Sequence, residues 1–224
     1  MAINKRVASA QAAMEGVQSG AIVMISGFGG AGFANVLIQA LSEHPVKDLT
    51  LVVNSATHPY SLTHRLIENR QVRKIICTAA RGRGSELSVF EQQWRDGLVE
   101  LECVPQGSFS ERIRAGGAGI PAFFTPVGFG TELTRGKETR MFQGREHVLE
   151  EAIYADLALI RADRADRYGN LAFRYAQPNF GPAMATAAKL VIAEVFTAQT
   201  DPIPPDRVML SGVFIDHVLA VGSR

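Results

Sequence analysis

The chain has 224 residues, 46% hydrophobic and 20% charged, and its 23 basic and 22 acidic residues leave a formal net charge of +1. That length and composition suit one α/β domain spanning residues 1–224 with its own core. They exclude the bulk charge, and the sequence lacks the Lys/Arg run, that would draw nucleic acid or an anionic membrane. Cys77 and Cys103 show no C-x-x-C spacing and the five histidines do not cluster with them, so reduced thiols and no metal site are expected. The first twenty residues lack the apolar run of a signal peptide, and no stretch approaches membrane-span length; a soluble cytoplasmic protein is expected.

In chain order, residues 5–17 (KRVASAQAAMEGV) have helical composition and stop at Ser19-Gly20. AIVMIS is a short apolar run and predicts a buried strand, followed by a glycine loop and a helix over 33–44 that Pro45 ends. DLTLVVN, VRKIICT and LVELECV predict three more strands, with helices at SLTHRLIEN, where Ser61 is a candidate cap, and at SVFEQQWRDG. Residues 114–133, dense in Gly and Pro, predict extended backbone and turns. KETRMFQGREHVLEE predicts a hairpin turning at Gln143-Gly144. DLALIRA, a turn at DRYGN and LAFRY follow, then a helix in PAMATAAKL, and KLVIAEVF and VMLSGVFIDHVLAV close the sheet. The alternation predicts an α/β fold, a mostly parallel sheet flanked by helices on both faces.

Residues 24–41, MISGFGGAGFANVLIQAL, carry the first chemistry: Gly27, Gly29 and Gly32 fit G-x-G-x-x-G. Glycines let backbone approach a ligand closely, and the following helix N-terminus offers N–H groups to an anion. A dinucleotide site also needs an acidic residue at the end of the second strand, where Asn54 and Ser55 stand; Asp48 precedes that strand. No Gly-Lys-Ser/Thr follows, which excludes a P-loop. A turn that only packs the helix is the remaining reading from these residues alone.

The segment SGAIVMISGFGGAGFANVLIQAL resembles the signature of the A-type (α) subunit of family I, or 3-oxoacid, CoA-transferases through Gly20, Val23 to Ile25, Gly27, Phe28 and Gly32. Ser19, Ser26 and Ala34 stand where that signature has Asp or Asn, Gly and Pro. VPQGSFSERIRAGGAGIPAFFTPVGFGT, GKETR, VLEEAIYADLALIRADRADRYGNLAFR and NFGPAMATAAK continue the resemblance in the same order over nearly the whole chain, with Pro178 in place of an Arg.

The resemblance implies transfer of CoA between two carboxylic acids through a glutamate on the partner β subunit, in a Glu-x-Gly context. An acyl-enzyme anhydride and then a glutamyl-CoA thioester form. No glutamate here has Gly two positions later, so this chain is expected to lack the nucleophile and to work as one half of a heterodimer or heterotetramer. It also implies CoA and acyl-CoA as substrates, met by the loop Ser26, Gly27, Phe28, Gly29, Gly30, Ala31 and Gly32, with no resident cofactor. Gln106, with Gly107, is placed near the substrate by the resemblance, and Asn54 ends a strand where it could face the same crevice. Arg81 and Arg83, among glycines after the third strand, could grip the distal carboxylate of a dicarboxylate such as 3-oxoadipate. The chain looks closest to 3-oxoadipate CoA-transferases using succinyl-CoA, with acetoacetate or another short acid as the alternative. A sugar-phosphate isomerase would need an acid–base pair that does not stand out here, and a ligand-sensing regulator would need a DNA-binding appendage.

Overall fold

A computed structural model describes residues 3–82 and 84–222. Among the described residues the strands are β1 (Ile22–Ile25), β2 (Leu49–Val53), β3 (Val72–Cys77), β4 (Glu100–Cys103), β5 (Ala122–Thr125), β6 (Thr139–Phe142), β7 (Arg145–Glu151), β8 (Ala155–Ala165), β9 (Leu171–Ala172), β10 (Ala188–Ala198) and β11 (His217–Ala220). The α-helices are α1 (Ala10–Ala13), α2 (Asn35–Glu43), α3 (Thr63–Glu68), α4 (Val89–Arg95), α5 (Gln106–Gly117) and α6 (Gly181–Thr186). The main sheet runs β11-β10-β8-β1-β2-β3-β4 with every neighbouring pair parallel, and β9 adds antiparallel to the end of β8. A second sheet, β5-β7-β6, is antiparallel.

The strands alternate between two cores. Ile25, Leu51, Val53, Ile75 and Leu159 pack beneath Leu37, Leu41, Leu66 and Phe90 of α2, α3 and α4. Met24, Val52, Ile76, Ala158 and Ile160 pack against Phe109, Ile113 and Met184 of α5 and α6. Burial on both faces is why β2 reads as five consecutive apolar or β-branched residues. At the hairpin, Gln143 (φ +49°) and Gly144 (φ +75°) both take the left-handed conformation, which matches a primed two-residue turn and the expected position.

Several elements differ from the sequence prediction. The first helix shrinks to α1, capped by Ser9 Oγ on Ala12 N–H at 3.1 Å, because residues 5–7 are drawn to the sheet edge. There Val7 N–H donates to Val218 O, and Val218 N–H to Lys5 O. The larger miss is α5. Its last turn contains Gly116 and Gly117, which read as loop, but both are small because the helix is pressed against neighbours. A Cβ on Gly116 would overlap Ile153 O, and one on Gly117 would overlap Thr186 Oγ1 of α6. The strand expected at 171–175 keeps only β9, the helix expected from Pro182 is α6 and stops at Thr186, and β8 and β10 each run to eleven residues.

A chain of alternating charges fastens the small sheet to the large one. Lys74 of β3 bonds Glu102 of β4 at 2.6 Å, Arg112 of α5 bonds Glu102 at 2.7 Å, and Glu150 of β7 takes Lys137 at 2.7 Å and Arg112 at 3.7 Å. Burial pushes the Glu102 carboxyl upward, but its bonds to Lys74 and Arg112 outweigh that and hold it below its ordinary value.

Gly117→Ala tests the α5–α6 contact. Alanine adds about 1 kcal/mol of helix propensity, yet overpacking against Thr186 costs roughly 1–3 kcal/mol. The variant is expected to melt below the wild type; an equal or higher melting temperature would show that α6 yields at this contact.

Candidate functional site

Strand order reverses at β1. From there the chain steps to β2, β3 and β4 on one side, and later returns to place β8 and β10 on the other. The crevice beyond the carboxyl ends of β1 and β8 is therefore the topological switch point, where open α/β sheets bind ligands. The glycine loop lies there. A cleft of about 610 Å³ opens beside it, lined by Gly32, Tyr60, Arg161, Arg174, Glu194 and Phe196 among others.

The loop is held internally. Ser26 is fully buried; its N–H donates to Leu159 O at 3.1 Å and its hydroxyl to Gly32 O at 2.7 Å, while Arg161 N–H reaches its Oγ at 3.3 Å. Phe28 and Ala31 exchange N–H to carbonyl bonds (3.0 and 3.1 Å), and Gly27 N–H goes to Asn179 Oδ1 at 3.0 Å. Of the seven loop residues singled out in the sequence, Ser26, Gly27, Phe28 and Ala31 thus spend their N–H groups on the fold. Among the described residues, the N–H groups of Gly29, Gly30 and Gly32 have no protein acceptor. The Phe28 ring, 46% exposed, projects from the loop.

The N-terminus of α2 departs from expectation. The sequence suggests that it faces an anionic ligand, but the protein fills it with its own carboxylate. Ala34 offers no side-chain cap, and Glu194 Oε2 from β10 accepts Val36 N–H at 2.8 Å and Leu37 N–H at 3.0 Å. Glu194 Oε1 is bonded by Arg161 of β8, whose guanidinium stacks 3.7 Å from the Phe196 ring centroid. At 2% exposure Glu194 is raised above its ordinary pKa by burial, against the pull of the Leu37 N–H, Arg161 and the Val36 N–H.

α5 is the contrasting case. Its N-cap is Pro105, which provides no side-chain acceptor, and Gln106 and Gly107 are exposed at its first turn. Ser108 Oγ is buried there without a hydrogen-bond partner among the described residues. This helix start lies near the glycine loop, because the Phe180 ring sits edge-on between Phe28 (6.4 Å) and Phe109 (5.3 Å). Asn54 lies on the same edge one residue past β2, with its amide donating to Thr78 Oγ1 at 2.9 Å.

Arg81 follows the carboxyl end of β3, and Thr57 Oγ1 donates to its carbonyl at 3.0 Å. Its guanidinium bonds Glu91 at 2.5 Å and Gly84 O at 3.0 Å. Glu91 closes the capping box of α4: Ser88 Oγ accepts Glu91 N–H, and the Glu91 carboxylate accepts Ser88 N–H. The Ser88 N–H and hydroxyl, then Arg81 and the Gly82 N–H, hold Glu91 down at about 2. In this structure the Arg81 side chain thus has a carboxylate partner of its own, on Glu91. Arg83 lies outside the described residues.

Sequence reasoning misses Glu194, Arg161 and Asn179. A signal for the first two is present, since a glutamate in KLVIAEVF and an arginine in DLALIRA sit inside buried strands and require partners. Asn179 has no such signal, its contact at Gly27 being 152 residues away. Among the described residues no cluster of His, Cys, Asp or Glu could hold a metal ion, and no helix is long and apolar enough to cross a membrane.

Residues 7–220 match the coenzyme A transferase family profile. The chain is 44% identical to the A-type subunit of 3-oxoadipate CoA-transferase from Pseudomonas putida, over 98% of this chain and 94% of that one. It is 45% identical to the A-type subunit of succinyl-CoA:3-ketoacid coenzyme A transferase from Xanthomonas campestris pv. campestris, over 96% of this chain and 88% of that one. Its fold matches glutaconate coenzyme A-transferase of Acidaminococcus fermentans with a TM-score of 0.84 at 19% identity, covering 97% of this chain and 76% of the other. An acyl-CoA transferase of E. coli O157:H7 gives 0.81 at 21% identity, and the chain spans about half of its length (97% and 47% covered). The chain belongs to the coenzyme A transferase family. It aligns end to end with A-type subunits of such enzymes, a designation that implies a partner subunit.

The buried charges can be tested in two ways. Glu194→Ala removes the acceptor at α2 and leaves Arg161 buried without it, at a cost of about 3–5 kcal/mol in urea unfolding. Replacing both, with Arg161→Met, is expected to cost less than the single change; a double variant weaker than the single one overturns the pairing. Glu91 titrates lower folded (about 2) than its ordinary 4.5, so its stabilisation is complete above 4.5 and disappears as pH falls through about 2. The melting-temperature gap between wild type and Glu91→Gln is expected to shrink steadily from pH 5 to pH 2; a constant gap refutes it.

Proposed function

We propose that this chain is the α subunit of a two-chain enzyme that moves CoA from succinyl-CoA to a 3-oxo acid, 3-oxoadipate, with the attacking glutamate supplied by a β subunit. What carries the reading is the combination of end-to-end similarity to A-type subunits with a sequence in which no glutamate stands in a Glu-x-Gly context. In this scheme the partner's carboxylate attacks the thioester carbonyl, the CoA thiolate leaves, and an acyl anhydride forms. The thiolate then attacks the glutamyl carbonyl, releasing succinate and leaving a glutamyl-CoA thioester. The 3-oxo acid reverses both steps and departs as its CoA ester.

Each addition places negative charge on a carbonyl oxygen, and this chain's part is to meet that charge. The N–H groups of Gly29, Gly30 and Gly32 and the exposed amide of Gln106 at the uncapped start of α5 are neutral donors; they stabilise an oxyanion without quenching the nucleophile. CoA enters as substrate and no resident cofactor is required. We place the heteromer in the cytoplasm. Similarity to 3-ketoacid and to 3-oxoadipate enzymes is equally strong, so acetoacetate is the competing acceptor.

The test is reconstitution with a β chain carrying Ser-Glu-Asn-Gly or a close variant. The pair is expected to transfer CoA from succinyl-CoA and to turn over 3-oxoadipate at least tenfold better than acetoacetate. The α chain alone is expected to transfer none; transfer by it alone overturns the two-chain scheme. Arg81→Ala is expected to lower the melting temperature through the α4 cap and leave the acid preference unchanged. A changed preference would return Arg81 to the substrate.

A further inference from the structure

The glycine loop follows β1 and the Gln106 turn follows β4, on opposite sides of β2 and β3. One dipeptide, Asn179-Phe180, touches both. Asn179 Oδ1 accepts Gly27 N–H at 3.0 Å and Phe180 N–H at 2.8 Å. Its Nδ2 donates to Ala31 O at 3.3 Å, Ala176 O at 3.0 Å and Gln177 O at 2.9 Å. This is an exposed residue with a left-handed backbone (φ +28°), yet its whole amide is occupied. Gly32 has no Cβ at the point where one would overlap that amide. Phe180, the next residue, holds Phe28 on one side and Phe109 on the other.

We infer that Asn179 and Phe180 are positioning residues for the transfer reaction: Asn179 fixes the direction in which the glycine loop turns its N–H groups, and Phe180 sets the loop's separation from Gln106. This role presupposes the transferase reading above. Gly27 and Ala31 bracket the turn that carries Gly29 and Gly30, and one amide grips both ends. A glycine loop is otherwise the most mobile backbone available. Donors stabilise a developing oxyanion best when already aimed at it, whereas ground-state binding depends less on their aim. Loosening the grip therefore lowers kcat while sparing KM.

The experiment uses the reconstituted two-chain enzyme with Asn179→Ala, Asn179→Asp and Phe180→Leu, measuring steady-state kinetics, melting temperature and amide hydrogen exchange of the peptide spanning residues 24–34. Asn179→Ala is expected to speed that exchange at least fivefold and lower kcat at least tenfold, with KM for succinyl-CoA within threefold. Asn179→Asp keeps an acceptor for Gly27 N–H but loses the donor to Ala31 O, so exchange is expected to be faster than wild type by at least twofold yet slower than in the alanine variant, with kcat above that of the alanine variant. Phe180→Leu leaves the Asn179 bonds in place; it is expected to lower kcat with loop exchange unchanged, and to reduce the further loss caused by Gln106→Ala.

Unchanged exchange in Asn179→Ala, or a kcat loss that only tracks the folded fraction, overturns the inference. An alanine variant that does not fold leaves the aspartate variant to decide, and loop exchange there equal to wild type overturns it equally. If the wild-type pair transfers no CoA, the function reading fails, while the exchange measurements still decide whether Asn179 grips the loop.

Discussion

A single carboxylate sets the geometry around the switch point. Glu194 rises from β10, caps α2 through two backbone N–H groups and is matched by Arg161 from β8. A helix start with unanswered N–H groups, buried against a sheet, is unstable, and an unmatched buried carboxylate is worse. Each solves the other's problem, and the guanidinium balances the charge. Because the three groups come from α2, β10 and β8, the angle at which α2 leaves the glycine loop is fixed from the far half of the chain.

That arrangement divides labour between the two helix starts near the loop. The partial positive charge of α2 is neutralised internally, so the helix serves as scaffold. The start of α5 has Pro105 before it, Gln106 and Gly107 exposed and no side-chain cap, so its partial positive charge is not answered by a carboxylate as that of α2 is. The glycine motif thus marks the loop at the switch point, while the helix that follows it is capped from within. The aromatic line Phe28–Phe180–Phe109 keeps the open helix start in register with the loop although β2 and β3 intervene.

The first four strands, the three helices between them, and the hairpin turn are legible in the sequence because they obey local rules: unbroken apolar runs for doubly buried strands, helical spacing ended by Pro45 after α2, a Gln-Gly turn at 143–144. α5 is not, because Gly116 and Gly117 mean loop locally and close packing globally. The glycine loop can be located but not its division into spent and open N–H groups, since that depends on Leu159 and Asn179, more than a hundred residues on. Arg81 has the sequence context of a carboxylate reader, and it does read one, on Glu91 of its own chain.

β8 and β10 do not stop where β1 stops. β1 last pairs at Ile25 with Leu159, whereas β8 and β10 stay paired as far as Ala165 and Ala198. Those six further residues of β8 rise roughly 20 Å at ordinary strand geometry. The glycine loop therefore sits at the foot of a parapet instead of on an open plateau. The cleft beside the loop lies against that wall, with Arg161 of β8 and Glu194 and Phe196 of β10 in its lining. A wall built from two paired strands gives the cleft a side that does not depend on any loop for its shape.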